Sequence, residues 1–254
     1  MTSLPARIWI TGASSGIGRA VALAYARAGA TVAASARAAD ALAALAAEPA
    51  AQGRIHAFAV DVTDRATVLQ TVARIEAELG ALELVILNAG THEPVDARRF
   101  DAAVFDRLFR VNLTGTVNGL AAVLPRLVER RAGHVALVAS VAGYGGLPSA
   151  AAYGATKAAL INMAEALKFD LDPVGVRVSV VNPGFVRTPL TDKNPFAMPA
   201  LMAVDDAADA LVRGLARGGF EVTFPRRFTY ALKLLRLLPY PLYFPLMARL
   251  TGWK

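Results

Sequence analysis

Short apolar runs alternate with longer segments of helical periodicity along most of this chain. Six runs of four to six residues indicate strands that are buried on both faces. They span Arg7–Thr11, Thr31–Ser35, Ile55–Val60, Leu84–Leu87, His134–Ala139 and Arg177–Val181. The helical patterns between them include Ile17–Ala28, Arg65–Leu79, Phe105–Arg130 and Tyr153–Asp170. This order predicts an α/β fold with a doubly wound parallel sheet, helices on both faces, and ligands at the carboxyl ends of the strands.

Length and composition are those of one folded domain. The chain has 254 residues, of which 55% are hydrophobic and 7% aromatic, so one large core between helices is expected. We place residues 1–225 in this domain and treat 226–254 as a C-terminal extension that is not an independent domain. Because the chain has no cysteine, disulfides, thiolate nucleophiles and zinc–thiolate sites are excluded.

The formal net charge of +7 is concentrated at one end of the chain. Six basic residues and no acidic one lie in Arg226–Lys254, and subtracting these six leaves +1 for the remainder. This distribution does not favour a general nucleic-acid-binding surface. The first residues, Met1–Arg7, lack a basic start followed by an apolar stretch and a cleavage site. We therefore expect no export signal and a cytoplasmic location.

A glycine-rich turn follows the first predicted strand and precedes a helix. Its sequence from Thr11 to Gly18 is TGASSGIG, with glycine at positions 12, 16 and 18. Glycine lets the backbone approach a pyrophosphate closely, and the amide groups that open the helix point at the anion. The spacing Gly-x-x-x-Gly-x-Gly in this strand–turn–helix setting therefore predicts a dinucleotide site.

The ends of the second and third predicted strands indicate which dinucleotide binds. A cofactor with a free ribose 2′-hydroxyl usually meets a carboxylate after the second strand, but this chain has Ser35-Ala36-Arg37 there. The guanidinium of Arg37 suits a 2′-phosphate, which favours NADP(H) over NAD(H); otherwise Arg37 is a solvated residue at a helix start. Asp61 either accepts a hydrogen bond from the adenine or belongs to a turn in which Thr63 or Asp64 caps the next helix.

Tyr153 and Lys157 are four residues apart, which places both side chains on one face of a helix. A free phenol, with a pKa of about 10, is a poor acid–base catalyst at neutral pH. A neighbouring ammonium and the positive charge of an oxidised nicotinamide would stabilise the phenolate and lower the Tyr153 pKa. Ser140 ends the preceding apolar strand, where its hydroxyl could share a substrate oxygen with Tyr153. These residues predict proton transfer at that oxygen.

Together these motifs resemble those of the short-chain dehydrogenase/reductase family over roughly residues 5–225. The matching elements are Thr11–Gly18, Asp61-Val62, Asn88-Ala89-Gly90, Asn112, Ser140, Tyr153–Lys157, and Pro183-Gly184 followed by Thr188. The resemblance implies a Rossmann-like domain, an NAD(P)-dependent dehydrogenase or reductase activity, and a homo-oligomer. Family members whose second strand ends in Ala-Arg tend to prefer NADP(H), which agrees with Arg37.

The resemblance also implies roles for individual residues. The residue matching Tyr153 is the general acid of reduction, and Lys157 lowers its pKa and holds the nicotinamide ribose. Ser140 orients the carbonyl, and Asn112 holds a water of the proton relay. The implied catalytic residues are Asn112, Ser140, Tyr153 and Lys157. The cofactor-binding residues expected from the turn, the strand ends and the resemblance are Gly12, Ser14, Ser15, Gly16, Ile17, Gly18, Arg37, Asp61, Val62, Asn88, Ala89, Gly90, Tyr153, Lys157, Pro183, Gly184, Val186 and Thr188.

The segment from Arg226 to Lys254 departs from the family, many of whose members stop soon after a final strand. Helical spacing gathers its polar residues on one narrow basic stripe with apolar residues around it. The stripe consists of Arg226, Thr229, Lys233 and Arg236, and the apolar neighbours are Phe228, Leu232, Leu235 and Leu238. Prolines at 239, 241 and 245 interrupt the apolar runs, so a transmembrane helix is not expected. Either the segment lies peripherally on an anionic membrane, with the stripe at the headgroups, or it packs over the substrate cleft or a partner subunit.

The loop from Arg187 to Val204 lies where the family carries its substrate lid. Its apolar residues favour a moderately large apolar ketone, aldehyde or secondary alcohol as substrate; they are Pro189, Phe196, Met198, Pro199 and Met202. Alternatives are a 3-oxoacyl reductase of lipid synthesis and a non-catalytic NADP(H)-binding scaffold or sensor at a membrane. The three histidines show no ligand spacing, so no metal site is assigned, although His92 follows the Asn-Ala-Gly turn toward the cleft.

Overall fold

The computed structural model describes residues 4–193 and 198–252, so Phe196 lies outside the described residues. Its strands are β1 Arg7–Thr11, β2 Thr31–Ala36, β3 Ile55–Ala59, β4 Leu84–Leu87, β5 Gly133–Val138, β6 Val176–Pro183 and β7 Glu221–Phe224. Its α-helices are α1 Gly16–Arg27, α2 Ala39–Ala46, α3 Arg65–Leu79, α4 Ala102–Phe109, α5 Gly115–Arg130, α6 Ala151–Leu171, α7 Val204–Ala216, α8 Arg226–Arg236 and α9 Tyr240–Thr251. The predicted strands are all present; β1 and β4 have the predicted bounds, and the ends of the other four differ by at most two residues.

The strands form one parallel sheet in the order β3-β2-β1-β4-β5-β6-β7. The chain first runs outward from β1 to β3 and then crosses to β4 on the other side of β1. Connections therefore diverge between β1 and β4, which opens a crevice at the carboxyl ends of these strands. This topology confirms the predicted doubly wound α/β fold.

Strand β1 shows how the apolar runs fill a three-layer core. Ile8 and Ile10 pack on one face of the sheet with α1, α2 and α7, while Trp9 packs on the other face with α3, α5 and α6. All three side chains are buried, as the continuous apolar run predicts for a strand covered on both faces. The Trp9 indole N–H donates to Ser35 Oγ at 2.9 Å, so its polar atom is also satisfied.

The long helix predicted over Phe105–Arg130 is longer and is interrupted. It begins at Ala102, where the Asp101 carboxylate accepts from the Ala103 amide at 2.9 Å and caps the first turn. Residues Arg110–Thr114 then form a π-helical segment between α4 and α5. A π-segment locally rotates the side chains that follow it, and this one contains Asn112.

Helices α8 and α9 cover one end of the sheet beside β7. Thr229 is fully buried, and Lys233 pairs with Glu221 of β7. The guanidinium of Arg236 lies 5.3 Å from the ring centroid of Tyr240. Half of the stripe predicted to meet lipid headgroups, Thr229 and Lys233, therefore turns toward the protein, because the half-buried carboxylate of Glu221 binds Lys233; Arg226 and Arg236 remain exposed. Within the described ranges, no helix is long and apolar enough to cross a bilayer.

Candidate functional site

A cleft of about 670 Å³ lies at the carboxyl ends of β1 to β4. Twelve residues predicted to bind a cofactor line it: Gly12, Ser14, Ser15, Gly16, Ile17, Arg37, Asp61, Val62, Asn88, Ala89, Gly90 and Thr188. Residues that the sequence reading missed complete the wall: Ala36, Ala38, Val60, Thr91, Val111, Pro189 and Leu190. Most of the missed residues adjoin a predicted one, so their only signal is their position next to a strand end.

The glycine turn is shaped by contacts that exclude side chains. Gly12 and Gly16 have φ values of +68° and +54°, in the left-handed region that favours glycine. A Cβ on Gly12 would lie 2.8 Å from Ala89 Cα, and one on Gly18 would lie 2.4 Å from the Gly12 carbonyl oxygen. Gly18 therefore lies beneath the turn, outside the cleft lining, and lets α1 approach it closely.

The side chain of Asn88 stabilises this turn by hydrogen bonds. Its Nδ2 donates to the carbonyl oxygens of Thr11 and Gly12 at 3.0 and 3.2 Å. Thr11 Oγ1 in turn accepts from the backbone amides of Asn88 and Ala89, each at 3.0 Å. These bonds join the ends of β1 and β4, so the Asn88 amide group is used to hold the turn.

The far end of the cleft carries one cation and one carboxylate. Arg37 is exposed, lines the cleft, and has no acidic partner among the residues that the structure describes. Asp61 Oδ1 accepts from both the amide and the hydroxyl of Thr63 at 2.9 Å, while Asp64 caps α3 by accepting from the Thr67 amide. Asp64 is thus the cap, and Asp61 is left facing the cleft.

These features fit a dinucleotide. Ser15 makes no side-chain hydrogen bond to the first turn of α1, and Ser15, Gly16 and Ile17 line the cleft. The opening turn of the helix thus faces a space that a phosphate group could fill. Across the cleft, Thr188 lies close enough to Gly16 that a Cβ there would approach its Cγ2 to 3.2 Å.

Six further predicted residues converge on a chamber of about 100 Å³ that adjoins this cleft. It is lined by Ser140, Tyr153, Lys157, Pro183, Gly184 and Val186, and it shares Ile17, Asn88, Gly90, Thr188 and Leu190 with the cleft. Ser140 follows β5, while Tyr153 and Lys157 come from one face of α6. The spacing of four residues therefore delivers both side chains to the same space.

Burial sets the ionisation of Tyr153 and Lys157. Desolvation raises the pKa of Tyr153 to about 12, partly offset by a hydrogen bond with Ser140. Desolvation also lowers the pKa of Lys157 to about 8. The Lys157 Nζ lies 5.5 Å from the Tyr153 ring centroid and donates to the Val138 carbonyl oxygen at 2.8 Å. In the chain by itself burial therefore raises the pKa of Tyr153, and the lowering expected from Lys157 together with an oxidised nicotinamide stays a prediction.

Asn112 is held in place by hydrogen bonds to two neighbouring segments. It is fully buried and lines neither the cleft nor the chamber. Its Oδ1 accepts from the Thr91 amide at 2.7 Å, and its Nδ2 donates to Thr91 O and Thr156 Oγ1, each at 3.0 Å. The side chain thus joins the loop after β4 to α6. Its expected part in a proton relay stays a prediction.

A third space, of about 90 Å³, opens beyond Tyr153 and Ser140. His92 lies in its wall, with its ring 4.7 Å from that of Tyr153 in an edge-on arrangement. The predicted Gly184 also lines it, with Leu190 and Thr191 from the predicted lid loop. The other lining residues are mostly apolar and were not predicted from the sequence: Pro94, Val141, Ala142, Leu147, Pro148, Ser149, Ala150 and Phe185. They come from three separate loops, which is why no local pattern marks them.

The loop after β6 closes one side of these spaces. Pro189 lines the cleft, and Met202 pairs with the segment just after β6 through hydrogen bonds with Phe185 and Arg187. Thr191 Oγ1 donates to the carbonyl oxygen of Val186 at 2.7 Å and accepts from the Thr188 amide at 3.0 Å. These contacts hold the described part of the predicted lid over the chamber. Among the described residues, no group of three or more His, Asp or Glu side chains is arranged to hold a metal.

Comparison with known proteins agrees with this arrangement. A family model described as short chain dehydrogenase matches residues 6–197. A Myxococcus xanthus protein described as an uncharacterized oxidoreductase is 41% identical over 235 residues, covering 92% of this chain and 93% of its own.

Two solved structures share the fold. A short-chain dehydrogenase from Sphingobium yanoikuyae in complex with NADPH is 28% identical, with a TM-score of 0.78 and coverage of 92% of this chain and 96% of its own. A short-chain dehydrogenase/reductase from Burkholderia phymatum in complex with NAD is 25% identical, with a TM-score of 0.82 and coverage of 91% and 92%. This chain therefore belongs to the short-chain dehydrogenase/reductase family of NAD(P)-dependent oxidoreductases.

Proposed function

We propose that this enzyme is an NADPH-dependent reductase of apolar ketones or aldehydes, or in reverse a dehydrogenase of the corresponding secondary or primary alcohols. One observation carries the proposal: Ser140 and Tyr153 stand where the chamber beside the dinucleotide cleft meets a mostly apolar pocket. A carbonyl group in that pocket would therefore meet two hydroxyl groups. The direction of the reaction would follow the supply of reduced or oxidised cofactor.

The chain's own residues suit the reduction of a carbonyl. When bound, the nicotinamide would supply the hydride. Tyr153, whose pKa is raised to about 12 by burial, keeps its proton at neutral pH and can donate it to the substrate oxygen. Ser140 would hold that oxygen by a hydrogen bond. Lys157 would bind the ribose and place its ammonium near the phenol, so that loss of the Tyr153 proton is less unfavourable.

Arg37 supports NADP(H) as the favoured cofactor. Its guanidinium lines the cleft at the end of β2, and no acidic residue of the described chain pairs with it. A 2′-phosphate would gain charge-assisted hydrogen bonds there, whereas a free 2′-hydroxyl has no carboxylate to accept its bond. Since related structures hold either NADPH or NAD, this preference rests on Arg37.

The size and lining of the pocket limit the substrate. Its volume of about 90 Å³ is well below the roughly 300 Å³ of typical small-molecule sites, so it would hold the reacting end of a substrate. Among the described residues that line it, none is Arg or Lys. An acidic carrier protein that presents a 3-oxoacyl group would be expected to need basic residues around this opening, so that reading is the weaker alternative.

The test is a titration of the purified protein with NADPH and NADH, followed by nicotinamide fluorescence. A panel of apolar ketones and aldehydes is then added, with Tyr153→Phe as the matched protein. We expect tighter binding of NADPH and substrate-dependent oxidation that the variant lacks. Tight binding without turnover of any compound would favour the non-catalytic scaffold or sensor instead.

A further inference from the structure

The C-terminal helices expose an unusual amount of apolar surface. Of the thirteen large apolar side chains that the described residues expose, seven lie in α8, α9 and the turn between them. We define these seven as the outer tail face: Tyr230, Leu234, Leu237, Tyr240, Leu242, Phe244 and Leu250. Leu237 is 80% exposed and Leu234 is 68% exposed. Apolar surface concentrated in this way marks an interaction site more often than it marks a solvated surface.

Helix α8 turns two polar side chains toward the protein and leaves leucines exposed. Its fully buried residue is Thr229, and its half-buried Lys233 bonds to Glu221. Tyr144 and Asn182 also donate to Glu221, at 2.8 and 2.7 Å. Burial alone would raise the pKa of Glu221, but these bonds outweigh it and lower the pKa, so the carboxylate stays charged. Thr229 and Lys233 are thereby fixed inward, and Leu234 and Leu237 are held outward on the side that also exposes Arg227.

Helix α9 is attached by a narrow contact. Tyr243 and Met247 are its buried residues, and the Tyr243 hydroxyl donates to the Gly146 carbonyl oxygen at 2.9 Å. Phe244 stacks on Tyr240 with ring centroids 5.5 Å apart, and both rings remain more than half exposed. Pro239 is the N-cap of this helix, Pro241 lies in its first turn, and Pro245 lies inside it. Its exposed side is thus aromatic and leucine-rich.

The charges around this face select its partner. Arg226, Arg227 and Arg249 are exposed, and none has an ion-pair partner within the described part of the chain. Arg227 precedes Tyr230 and Leu234 by one and two helical turns, on the same side of α8. The tail contains no acidic residue. The outer tail face therefore combines leucines, tyrosines and unpaired guanidinium groups, the composition of helices that lie in an anionic lipid interface.

We propose that the outer tail face binds the surface of an anionic membrane, with its leucines and aromatic rings in the acyl boundary and Arg227 and Arg249 at the phosphate headgroups. A second copy of this chain fits less well. A two-fold interface would bring the face against itself, and its cations would meet cations without any acidic residue in 226–254 to pair with them.

Helix α8 also contacts the wall of the pocket beyond Tyr153, because Phe228 packs against Phe185 at 5.8 Å between ring centroids.

The test is flotation of the full-length protein with vesicles of equimolar phosphatidylglycerol and phosphatidylcholine, and with vesicles of phosphatidylcholine alone. We expect the protein to float with the anionic vesicles and to be released as ionic strength rises. The double variant Leu234→Glu/Leu237→Glu should lower the apparent affinity by about tenfold or more. Leu69→Glu, which charges an exposed leucine outside the tail, is the matched control and should bind like the wild type.

A second variant separates the charge from the apolar contact. Arg227→Gln/Arg249→Gln should lower affinity for the anionic vesicles by about tenfold while changing binding to neutral vesicles little. Absence of flotation by the wild type at low ionic strength would overturn the proposal. So would a loss of binding in Leu69→Glu as large as that in Leu234→Glu/Leu237→Glu. A protein that does not float, and whose mass in solution is halved by Leu234→Glu/Leu237→Glu, would show that a second copy covers this face.

Discussion

The first and the last strand of the chain are each followed by a helix, and these two strand-to-helix junctions direct their polar groups in opposite ways. At the β1–α1 junction, glycines remove side chains so that backbone groups face an open cleft. At the β7–α8 junction, Thr229 and Lys233 turn inward, and leucines face outward. The first junction can therefore recognise a small anionic ligand through its backbone. The second offers an extended apolar surface, which suits a broad and chemically simple partner.

Of all the changes considered, Tyr153→Phe is expected to have the largest effect, which is on turnover. This change removes the proton donor but keeps the ring against His92, so turnover should fall by about 10² to 10⁴-fold. The dissociation constant for NADPH should stay within about twofold of the wild-type value. Steady-state kinetics and fluorescence titration measure the two quantities. Unchanged turnover would contradict the assignment of Tyr153 as the proton-transfer group.

The next effect concerns the stability of the sheet that supports the cleft. Burial and the charge of Arg177 lower the pKa of His134 to about 4, and its Nε2 is hydrogen-bonded to Ser179 Oγ at 2.9 Å. The unfolded chain therefore binds a proton between about pH 6.5 and 4 that the folded chain does not bind. Folding stability should accordingly fall as pH drops through this window, with His134 contributing up to about 3 kcal/mol.

His134→Gln isolates this contribution from that of the carboxylates. Urea unfolding of both proteins between pH 7 and pH 4 should give a shallower loss of unfolding free energy in the variant. The control is His56→Gln, because His56 lies on β3 and has only an intermediate burial. Parallel curves for wild type and His134→Gln would show that His134 does not titrate differently on folding.

The cofactor preference should respond to the end of β2. Ala36→Asp/Arg37→Ala supplies a carboxylate for a ribose hydroxyl and removes the cation for a 2′-phosphate. The ratio of NADH to NADPH dissociation constants should shift toward NADH by about tenfold to a hundredfold, as expected for a charge-assisted hydrogen bond. Arg98→Ala, at an exposed arginine outside the cleft lining, serves as the control. A constant ratio would remove the basis for favouring NADP(H).

A smaller effect on stability is expected at the contact between Glu221 of β7 and Lys233 of α8. Glu221→Gln weakens the bonds from Lys233, Tyr144 and Asn182, and should reduce the unfolding free energy by about 1–2 kcal/mol. Hydrogen exchange should quicken in α8 more than in α1. Glu129→Gln, at an exposed glutamate of α5, provides the matched change. Equal exchange in α8 of the two variants would mean that Glu221 does not hold the tail.

The smallest effect on stability should come from the outer tail face itself. Leu237→Glu alters a side chain that is already 80% exposed, so the free energy of unfolding should change by no more than about 0.5 kcal/mol. Denaturant unfolding measures this value. A decrease in the free energy of unfolding several times larger than this would mean that Leu237 is covered in solution. Association between copies of the chain would be one cause.

Much of the fold and of the cofactor site could be predicted because their signals are local. Continuous apolar runs predict strands that are covered on both faces, and β1 is such a strand. The glycine turn, Arg37 and the Tyr153–Lys157 spacing each lie within a few consecutive residues whose geometry is fixed by the strand or helix that carries them. The resemblance in these motifs was sufficient to identify the family. The interruption of the long helix at Arg110–Thr114 was missed, because no residue type in it excludes an ordinary α-helix.

The tertiary structure decided the properties that depend on residues far apart in the chain. Tyr153 has a raised pKa because several separate elements remove water from it, and Asn112 is occupied because Thr91 and Thr156 meet it. Thr229 and Lys233 of the α8 stripe face inward because Lys233 pairs with Glu221, which also accepts a hydrogen bond from Tyr144. Periodicity is a property of neighbouring residues, whereas burial and charge pairing are properties of the folded chain; the sequence therefore specified the elements and the cofactor turn, and packing specified the ionisation of the site and the orientation of the tail.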